Sequence, residues 1–246
     1  MKKSKNTKVS KLYGRKKLMT TLTVLFGVIV AIIILLSYYG QNVGSFTVKI
    51  DDDLSERKIY LSLDETFQTK MSRLEADSLD DATATTYTRL NKDICRNTIG
   101  STVGQNRSYV SFTFFLKNES TEAVDITETF KITKVKENLD DLAWVWYFDD
   151  QEDTDGTVYT KENTEPYVDD NLLKDYPDTT SFLDSDTVFT KDRMAVAPNE
   201  VKRITVITWV DANDPDIKNY SASGAIRFTL TFTLYKEEVK RWQKES

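Results

Sequence analysis

The sequence contains no histidine and a single cysteine among its 246 residues. Without histidine, the chain cannot form a Ser-His or Cys-His catalytic pair, a histidine-ligated zinc site or an imidazole proton relay. With Cys95 alone, it cannot form an internal disulfide, so an exported domain must be stable through packing. Cys95 follows Ile94 in the sequence, and we predict a small buried apolar residue there rather than a nucleophile.

Acidic residues are absent from positions 1–17, which hold eight lysines and arginines. An uncharged apolar run follows at 18–39, and as a helix it is long enough to cross a hydrocarbon core of about 30 Å. The positive-inside bias predicts a cytoplasmic basic tail at 1–17, a transmembrane signal-anchor at 18–39 and the remainder of the chain outside the cell. The small-x-small candidate at Val43 to Ser45 is a poor cleavage site, so we predict that the anchor is retained.

The part of the chain beyond the tail is strongly acidic. Eight of the 33 lysines and arginines lie in the tail, which leaves 25 basic against 39 acidic residues and a net charge of −14. Such a surface repels nucleic acid and attracts cations or basic partners. We therefore predict no nucleic-acid partner.

Alternating apolar and polar residues, the pattern of a half-buried strand, recur along the acidic part. The strands at 112–116 and 126–132, with turn residues between them, predict a hairpin. The segment 142–148 is apolar on both faces, which predicts a central strand covered on both sides or one with an aromatic patch outside. At 201–210 the apolar phase slips at Val206-Ile207, as at a bulge or in a doubly covered strand.

One segment has helical spacing instead, since Phe67, Met71 and Leu74 predict a short helix that Asp64 could cap. About nine strands with little helix predict an all-β fold, an antiparallel β-sandwich of immunoglobulin-like or jelly-roll-like type. No Pro- or Gly-rich linker divides it, so we expect one domain at 46–235 followed by a polar C-terminal tail at 236–246.

An acidic segment at 151–162 has the spacing of a calcium loop. With Gly156 at the sixth place, Asp153 and Asp155 fall at the third and fifth places and Glu162 at the twelfth. The first ligand place holds Gln151 instead of Asp. An acidic hairpin tip with Asp-Gly gives the same pattern without metal, so calcium and an ordinary turn both remain open as explanations.

Two further groups of residues have competing explanations. Asp211, Asp214 and Asp216 could contact a metal, but Asx turns before Pro215 explain them without one. Four large aromatic residues could form a stacking platform for sugar or peptide, although their positions within strands favour a core role. They are Trp144, Trp146, Tyr147 and Trp209.

Acidic residues are abundant, yet no sequence pattern fixes two carboxylates at the separation that glycoside hydrolysis requires. We therefore predict no enzyme.

The order of segments resembles the exported β-sandwich surface and matrix proteins of Gram-positive bacteria, of which the camelysin and TasA-like proteins are examples. The resemblance consists of the basic tail, one helix, the early strand at 44–48, the run at 112–120 and the late segment at 209–216. It implies a surface or matrix role without catalysis. The chain departs from those proteins in lacking a good cleavage site.

Together these observations predict a single-pass membrane protein that presents a β-sandwich outside a Gram-positive-type cell. Its expected function is that of a structural or protein-interaction module, with a protein partner or self-association at the cell surface. The alternatives are a receptor domain for carbohydrate or peptide, and a cell-wall glycosidase.

Overall fold

The computed structural model describes residues 30, 46–150, 153–161, 177–214, 217–218, 220 and 223–235. Contacts divide the chain into two units, Met1–Asn42 and Val43–Ser246, and the β-sheets lie in the second. Among the residues described, no helix has the length and apolar character that a membrane crossing requires. The predicted anchor at 18–39, apart from Val30, and the tail at 236–246 lie outside these residues.

Two β-sheets account for most of the described chain. The strands of the first sheet are β1 (Phe46–Ile50), β3 (Arg73–Ala76), β4 (Leu79–Asp80), β7 (Val124–Lys136), β11 (Thr187–Val196) and β13 (Ala225–Leu234). Those of the second sheet are β2 (Ile59–Ser62), β5 (Gly100–Val103), β6 (Tyr109–Asn118), β8 (Ala143–Asp149), β9 (Asp153–Thr160), β10 (Thr179–Ser181) and β12 (Val201–Val210). The prediction of an all-β fold is confirmed.

The strand order shows how distant segments meet. In the first sheet it is β11-β7-β13-β1-β3, with β4 also paired to β13, and in the second it is β10-β9-β8-β12-β6-β2, with β5 also paired to β6. Among the described strands, β1 with β13 and β9 with β10 are parallel pairs, and the other pairs are antiparallel. The sheets are therefore mixed, where an antiparallel sandwich was predicted. Local alternation of apolar residues is the same in both pairings and carries no information about strand direction.

The hairpin predicted between 112–116 and 126–132 is also wrong, because β6 belongs to the second sheet and β7 to the first. The chain changes sheets at the buried side chain of Asn118. Its amide nitrogen donates to the carbonyl oxygens of Val196 (2.9 Å) and Glu122 (2.8 Å), and its Oδ1 accepts from the Ser120 amide (2.8 Å). A fully bonded buried amide of this kind fixes a sharp corner, where turn-forming residues alone predict a hairpin.

The described helices are short, α1 (Asp52–Glu56) and α2 (Lys92–Asn97). The helix predicted around Phe67, Met71 and Leu74 is absent: Phe67 has a left-handed φ of 55° and Leu74 lies in β3. The Asp64 carboxylate accepts hydrogen bonds from the amides of Thr66 (3.0 Å) and Gln68 (3.0 Å). Such side-chain bonding to the local backbone competes with helix formation and produces a turn.

The inner core, which lies between the sheets, is formed by apolar residues of both sheets. Strands β8 and β12 also bury their opposite faces. On β12, for example, Ile204 and Val206 join the inner core, whereas Ile207 and Trp209 belong to a second cluster. Strand β12 pairs with β6 and β8 without a register shift, so it contains no bulge. The apolar residues at Val206-Ile207 break the alternation because both faces of the strand are buried.

Candidate functional site: an aromatic cluster beneath a short cover

A second group of buried residues lies on the face of the second sheet that points away from the inner core. We name it the outer aromatic cluster, and it consists of Cys95, Trp144, Trp146, Phe148, Val158, Ile207 and Trp209. Alternate residues of β8 supply three of its rings, and β12 supplies two members. The double-faced apolar pattern of 142–148 therefore gives a strand covered on both sides, as predicted.

Two aspartate side chains accept from two of the three indole N–H groups of this cluster. Trp209 Nε1 donates to Asp211 Oδ2 at 3.0 Å, and Trp144 Nε1 donates to Asp214 Oδ2 at 3.2 Å. Asp211 Oδ1 also accepts from the Asn213 amide at 2.8 Å, so the predicted Asx turn is present. Asp216, the third residue of the group, lies outside the described residues. These carboxylates act as internal hydrogen-bond acceptors for buried indoles.

The segment 85–99, which we name the cover, closes the outer aromatic cluster. The Tyr87 amide donates to Asp211 Oδ2 at 3.2 Å, so one carboxylate holds both the cover and Trp209. The ring of Tyr87 also packs on that of Trp146, and the two ring centroids are 4.8 Å apart. Helix α2 is capped by Asn91, whose Oδ1 accepts from the Ile94 amide at 3.0 Å.

A cationic side chain attaches the far end of the cover. Arg96 donates to Asp150 Oδ1 at 2.5 Å and to the Thr154 carbonyl oxygen at 2.8 Å. Its guanidinium lies 4.9 Å from the Phe148 ring centroid, a cation–π distance. The cover is thus held by contacts with strands that are distant in sequence. Helix α2 was not predicted from the sequence, although Asn91 is a residue type that caps helices and the acidic Asp93 stands in the first turn.

Cys95 lies on the underside of the cover and is 1% exposed. Burial raises the pKa of its thiol, although hydrogen bonds with Tyr109 and Ser111 act in the opposite direction. A thiol with a raised pKa is a poor nucleophile at neutral pH. The prediction of a buried apolar cysteine is confirmed.

The aromatic residues that could have formed a stacking platform are buried. Trp144 and Trp209 are 0% exposed, Trp146 is 4% exposed, and Tyr147 points into the inner core. The apolar faces that would stack on a sugar ring already contact the cover or each other, with Trp144 and Trp209 centroids 5.8 Å apart. The prediction that these aromatics serve as structural core is confirmed instead.

The exposed side of the cover carries two large apolar side chains. Ile94 is 56% exposed and Ile99 is 45% exposed, and they lie on either side of the end of α2. Isolated exposed apolar residues are common on protein surfaces. Both Ile94 and Ile99 are on the cover, whose contacts with distant strands hold it in place.

The acidic segment at 153–156, which forms the start of β9, lies at the border of the outer aromatic cluster. Asp153 uses one carboxylate oxygen to accept from the Gly156 amide (2.9 Å) and the other to accept from Thr157 Oγ1 (2.7 Å). The carbonyl oxygen of Asp155 accepts from Trp146 Nε1 at 3.2 Å, and the Asp155 side chain is exposed. Gly156 has a φ of 76°, which favours glycine.

These contacts bear on the calcium prediction without testing it. Glu162, the predicted bidentate ligand, lies outside the described residues. Within the part of the chain that the structure describes, no group of three or more histidine, cysteine, aspartate or glutamate side chains is placed to hold a metal ion. A calcium site at Asp153, Asp155 and Glu162 stays a prediction.

Comparison with known proteins gives no family for this chain. No protein-family model matches it, and no curated protein is significantly similar. A crystal structure of a selenomethionine-labelled β-glucosidase from Kluyveromyces marxianus is similar over 70% of this chain with 10% sequence identity and a TM-score of 0.25. The similar region is 16% of that enzyme's chain, so this chain spans about a sixth of its length. At this TM-score the similarity carries no argument about fold or activity.

Proposed function

We propose that the chain is a membrane-anchored, non-catalytic surface protein whose β-domain contacts another protein outside the cell. The apolar run at 18–39 and the basic tail before it support an anchor with its N-terminus in the cytoplasm. Two facing sheets with an apolar core between them support a sandwich of immunoglobulin-like or jelly-roll-like type. The resemblance to exported surface and matrix proteins agrees with this role.

The observation that carries the proposal is the contrast between the two sides of the cover. Below it, the tryptophans and aspartates that could have served a ligand are bonded to one another, as in the pairs Trp209–Asp211 and Trp144–Asp214. Above it, Ile94 and Ile99 are exposed to solvent. A rigid support beneath exposed apolar side chains lowers the entropy that a partner's binding must overcome.

The edges of the sheets favour contact through side chains over the addition of a strand. Edge strands β3, β2, β5 and β10 are each three or four residues long. Edge strand β11 is longer, but its register with β7 shifts between Lys191 and Met194, and it carries Lys191, Asp192 and Arg193 there. Short, charged and irregular edges are the features that prevent proteins from pairing edge to edge.

The charge of the exposed part indicates the kind of partner. With 25 basic and 39 acidic residues beyond position 17, the field outside the membrane is negative. A protein with a basic rim around an apolar patch would be steered to this surface, and its association rate would fall as salt rises.

Photo-crosslinking in intact cells tests the proposal. A photoreactive amino acid replaces Ile94 in the full-length protein, and a matched control places it at Leu183, which is 63% exposed and lies outside the cover. We expect a specific protein adduct from position 94 and none from position 183. Equal labelling at both positions, or none at position 94, would contradict the proposed contact.

Protease treatment of intact cells tests the orientation separately. We expect added protease to degrade the β-domain while a tag fused before Met1 stays protected. Protection of both ends in intact cells would show that the domain is not outside, whatever the crosslinking result.

A further inference from the structure

A buried lysine and a buried aspartate form a pair on the face of the second sheet that points to the inner core. Lys202 on β12 has a side chain that is 2% exposed, and Asp149 at the end of β8 has one that is 1% exposed. Lys202 Nζ lies 3.4 Å from Asp149 Oδ2. Strands β8 and β12 are adjacent and antiparallel, and Ile204 lies directly opposite Asp149. Lys202 is two residues before Ile204 on the same face of β12, so it is the diagonal cross-strand neighbour of Asp149.

A second carboxylate borders this pair. Glu200 Oε1 lies 3.8 Å from Lys202 Nζ, and its other oxygen accepts from the Ala197 amide at 2.5 Å. The Glu200 side chain is 23% exposed, so it connects the buried pair with solvent. The pair is therefore enclosed by protein but has a proton-exchanging group at its edge.

The pair has buried inner-core residues as neighbours on both strands. Tyr147, two residues before Asp149 on the same face of β8, belongs to the inner core, as does Ile204 on β12. Removal from water penalises an ammonium and a carboxylate, and transfer of one proton between them gives a neutral amine and a neutral carboxylic acid. An uncharged amine is a nucleophile, and an uncharged acid is an electrophile with water as its leaving group.

We propose that Lys202 and Asp149 join in an intramolecular isopeptide bond and that Glu200 carries the proton during its formation. The neutral Lys202 Nζ attacks Cγ of the protonated Asp149 carboxyl group, and a C–N bond forms. Glu200 takes a proton from the nitrogen and returns it to the departing hydroxyl, so that the C–O bond breaks and water leaves. The ammonium and carboxylate become an amide and one water molecule, and no other reactant is needed.

The bond would close the segment 150–201 into a covalent loop. That segment contains β9, which includes the acidic residues at 153–156, together with β10 and β11. A cross-link restricts the unfolded chain and resists forced separation of β8 and β12. It would give an exported domain with one cysteine a covalent constraint that needs no disulfide.

Peptide mass spectrometry of the full-length protein, denatured and digested with trypsin, tests the bond directly. Trypsin does not cleave after an acylated lysine, so the reacted chain yields peptide 137–161 joined to peptide 194–203, less one water of about 18 Da. We expect this species as the main form of both segments. Unlinked 137–161 and 194–202 in the folded wild-type protein, without the joined species, would overturn the proposal and leave an ordinary buried ion pair.

Variants identify the reacting atoms. Lys202→Arg keeps the charge beside Asp149 but has no nucleophilic amine, so the joined species should disappear while the domain stays folded. Asp149→Asn should yield the same joined species with ammonia as the leaving group. Persistence of the joined species in Lys202→Arg would overturn the assignment to Nζ, and its absence from a folded Asp149→Asn would overturn the assignment to Cγ.

The role of Glu200 has its own readout. Glu200→Gln should lower the joined fraction at a fixed time after synthesis at least tenfold, whereas the same change at an exposed glutamate outside the pair, Glu56→Gln, should leave it unchanged. An undiminished fraction in Glu200→Gln would remove Glu200 from the mechanism. The crosslinking and protease results described for the surface role do not depend on this bond, so each proposal can fail separately.

Discussion

The inner core and the outer aromatic cluster share the strands β8 and β12 but are built differently. In the inner core, phenylalanine rings pack on one another without polar groups, as Phe130 does with Phe228 (5.2 Å between centroids) and Phe46 (5.4 Å). In the outer cluster, Trp144 and Trp209 each need a carboxylate for the indole N–H. The stability of the inner core therefore comes mainly from buried apolar area, with a few polar pairs such as Tyr147 with Glu128 (3.0 Å). In the outer cluster, the tryptophans also depend on hydrogen bonds from their indole N–H groups.

This difference predicts different modes of failure. Disruption of the inner core removes contacts between both sheets and should unfold the whole domain. Disruption of the outer cluster removes contacts between one sheet and a fifteen-residue cover at 85–99, which is a candidate for local opening. Five measurements, in order of decreasing expected effect, separate the two modes.

The largest effect is expected for Phe130→Ala in a fragment spanning 46–246. Phe130 is 0% exposed and contacts rings from three strands, so we expect a loss of about 3–5 kcal/mol in the free energy of unfolding. Denaturant unfolding measures it, with Phe130→Leu as a milder control. A loss below about 1 kcal/mol would show that the inner core is not the main source of stability.

Asp211→Ala should open the cover. The carboxylate accepts from Trp209 Nε1, Tyr87 N and Asn213 N, and we expect its loss to cost about 2–3 kcal/mol. Hydrogen exchange should rise first in 85–99, and Cys95 should react faster with a thiol reagent. Asp211→Asn, which keeps one acceptor, is the matched control. Unchanged Cys95 labelling in Asp211→Ala would show that the cover is held in another way.

Gly156→Ala tests the border of the outer cluster. An added Cβ would meet Trp146 Nε1 and the Phe148 ring at 2.5 Å, and φ is 76°. Gly100→Ala is the matched control, because Gly100 has a φ of 85° with nothing within 4 Å of the added Cβ. We expect the free energy of unfolding, measured with denaturant, to fall by about 2 kcal/mol in Gly156→Ala and by about 1 kcal/mol in Gly100→Ala. Equal losses would mean that the rings give way to the extra atom without cost.

Alkaline pH should weaken the inner core through Tyr159. Burial, with smaller contributions from Glu128 and Asp153, raises the pKa of Tyr159 from 10.0 to about 12. Because the unfolded chain loses the proton first, stability is intact below pH 10 and falls between pH 10 and about 12, by about 1.4 kcal/mol at pH 11. In Tyr159→Phe, the free energy of unfolding should not show this part of the decline at alkaline pH. If it falls equally in the wild type and in Tyr159→Phe between pH 10 and 12, the raised pKa of Tyr159 is contradicted.

The expected effect of calcium is no larger than that of Tyr159 at pH 11, and it depends on whether the ion binds at all. If Asp153, Asp155 and Glu162 bind the ion, calcium at ten times its dissociation constant should stabilise the fragment by about 1.4 kcal/mol relative to chelator. Thermal unfolding measures it, with the pair Asp153→Asn and Asp155→Asn as control. No shift would mean that the loop is an ordinary Asx turn, and the outer cluster would then have no metal at its border.

Several strands could be located from the sequence, because each has a face with a uniform apolar pattern. The alternation at 226–234 corresponds to β13, and the doubly apolar run at 142–148 corresponds to β8. The pattern at 67–74 was misleading, since Asp64 bonds to the local backbone and Phe67 takes a left-handed conformation. Helix α2 was missed because it is only six residues long and buries one of them, Cys95.

The candidate site was predictable in its parts and not in its arrangement. The sequence offered tryptophans near 144 and aspartates near 211, with a competing structural explanation for each. It did not indicate that Asp214 accepts from Trp144 or Asp211 from Trp209, because these bonds depend on the lateral order of strands. The pairing of Lys202 with Asp149 likewise requires the antiparallel register of β8 and β12.

The amino-acid sequence is sufficient to exclude histidine chemistry and an internal disulfide, to establish the negative charge beyond the tail, and to indicate strands at the apolar alternations. These properties follow from residue type and local spacing. The fold was needed to show which strands are neighbours, which pairs run parallel, and that residues 85–99 cover the tryptophans of β8 and β12. Those outcomes depend on contacts between residues far apart in the chain, and local spacing cannot specify them.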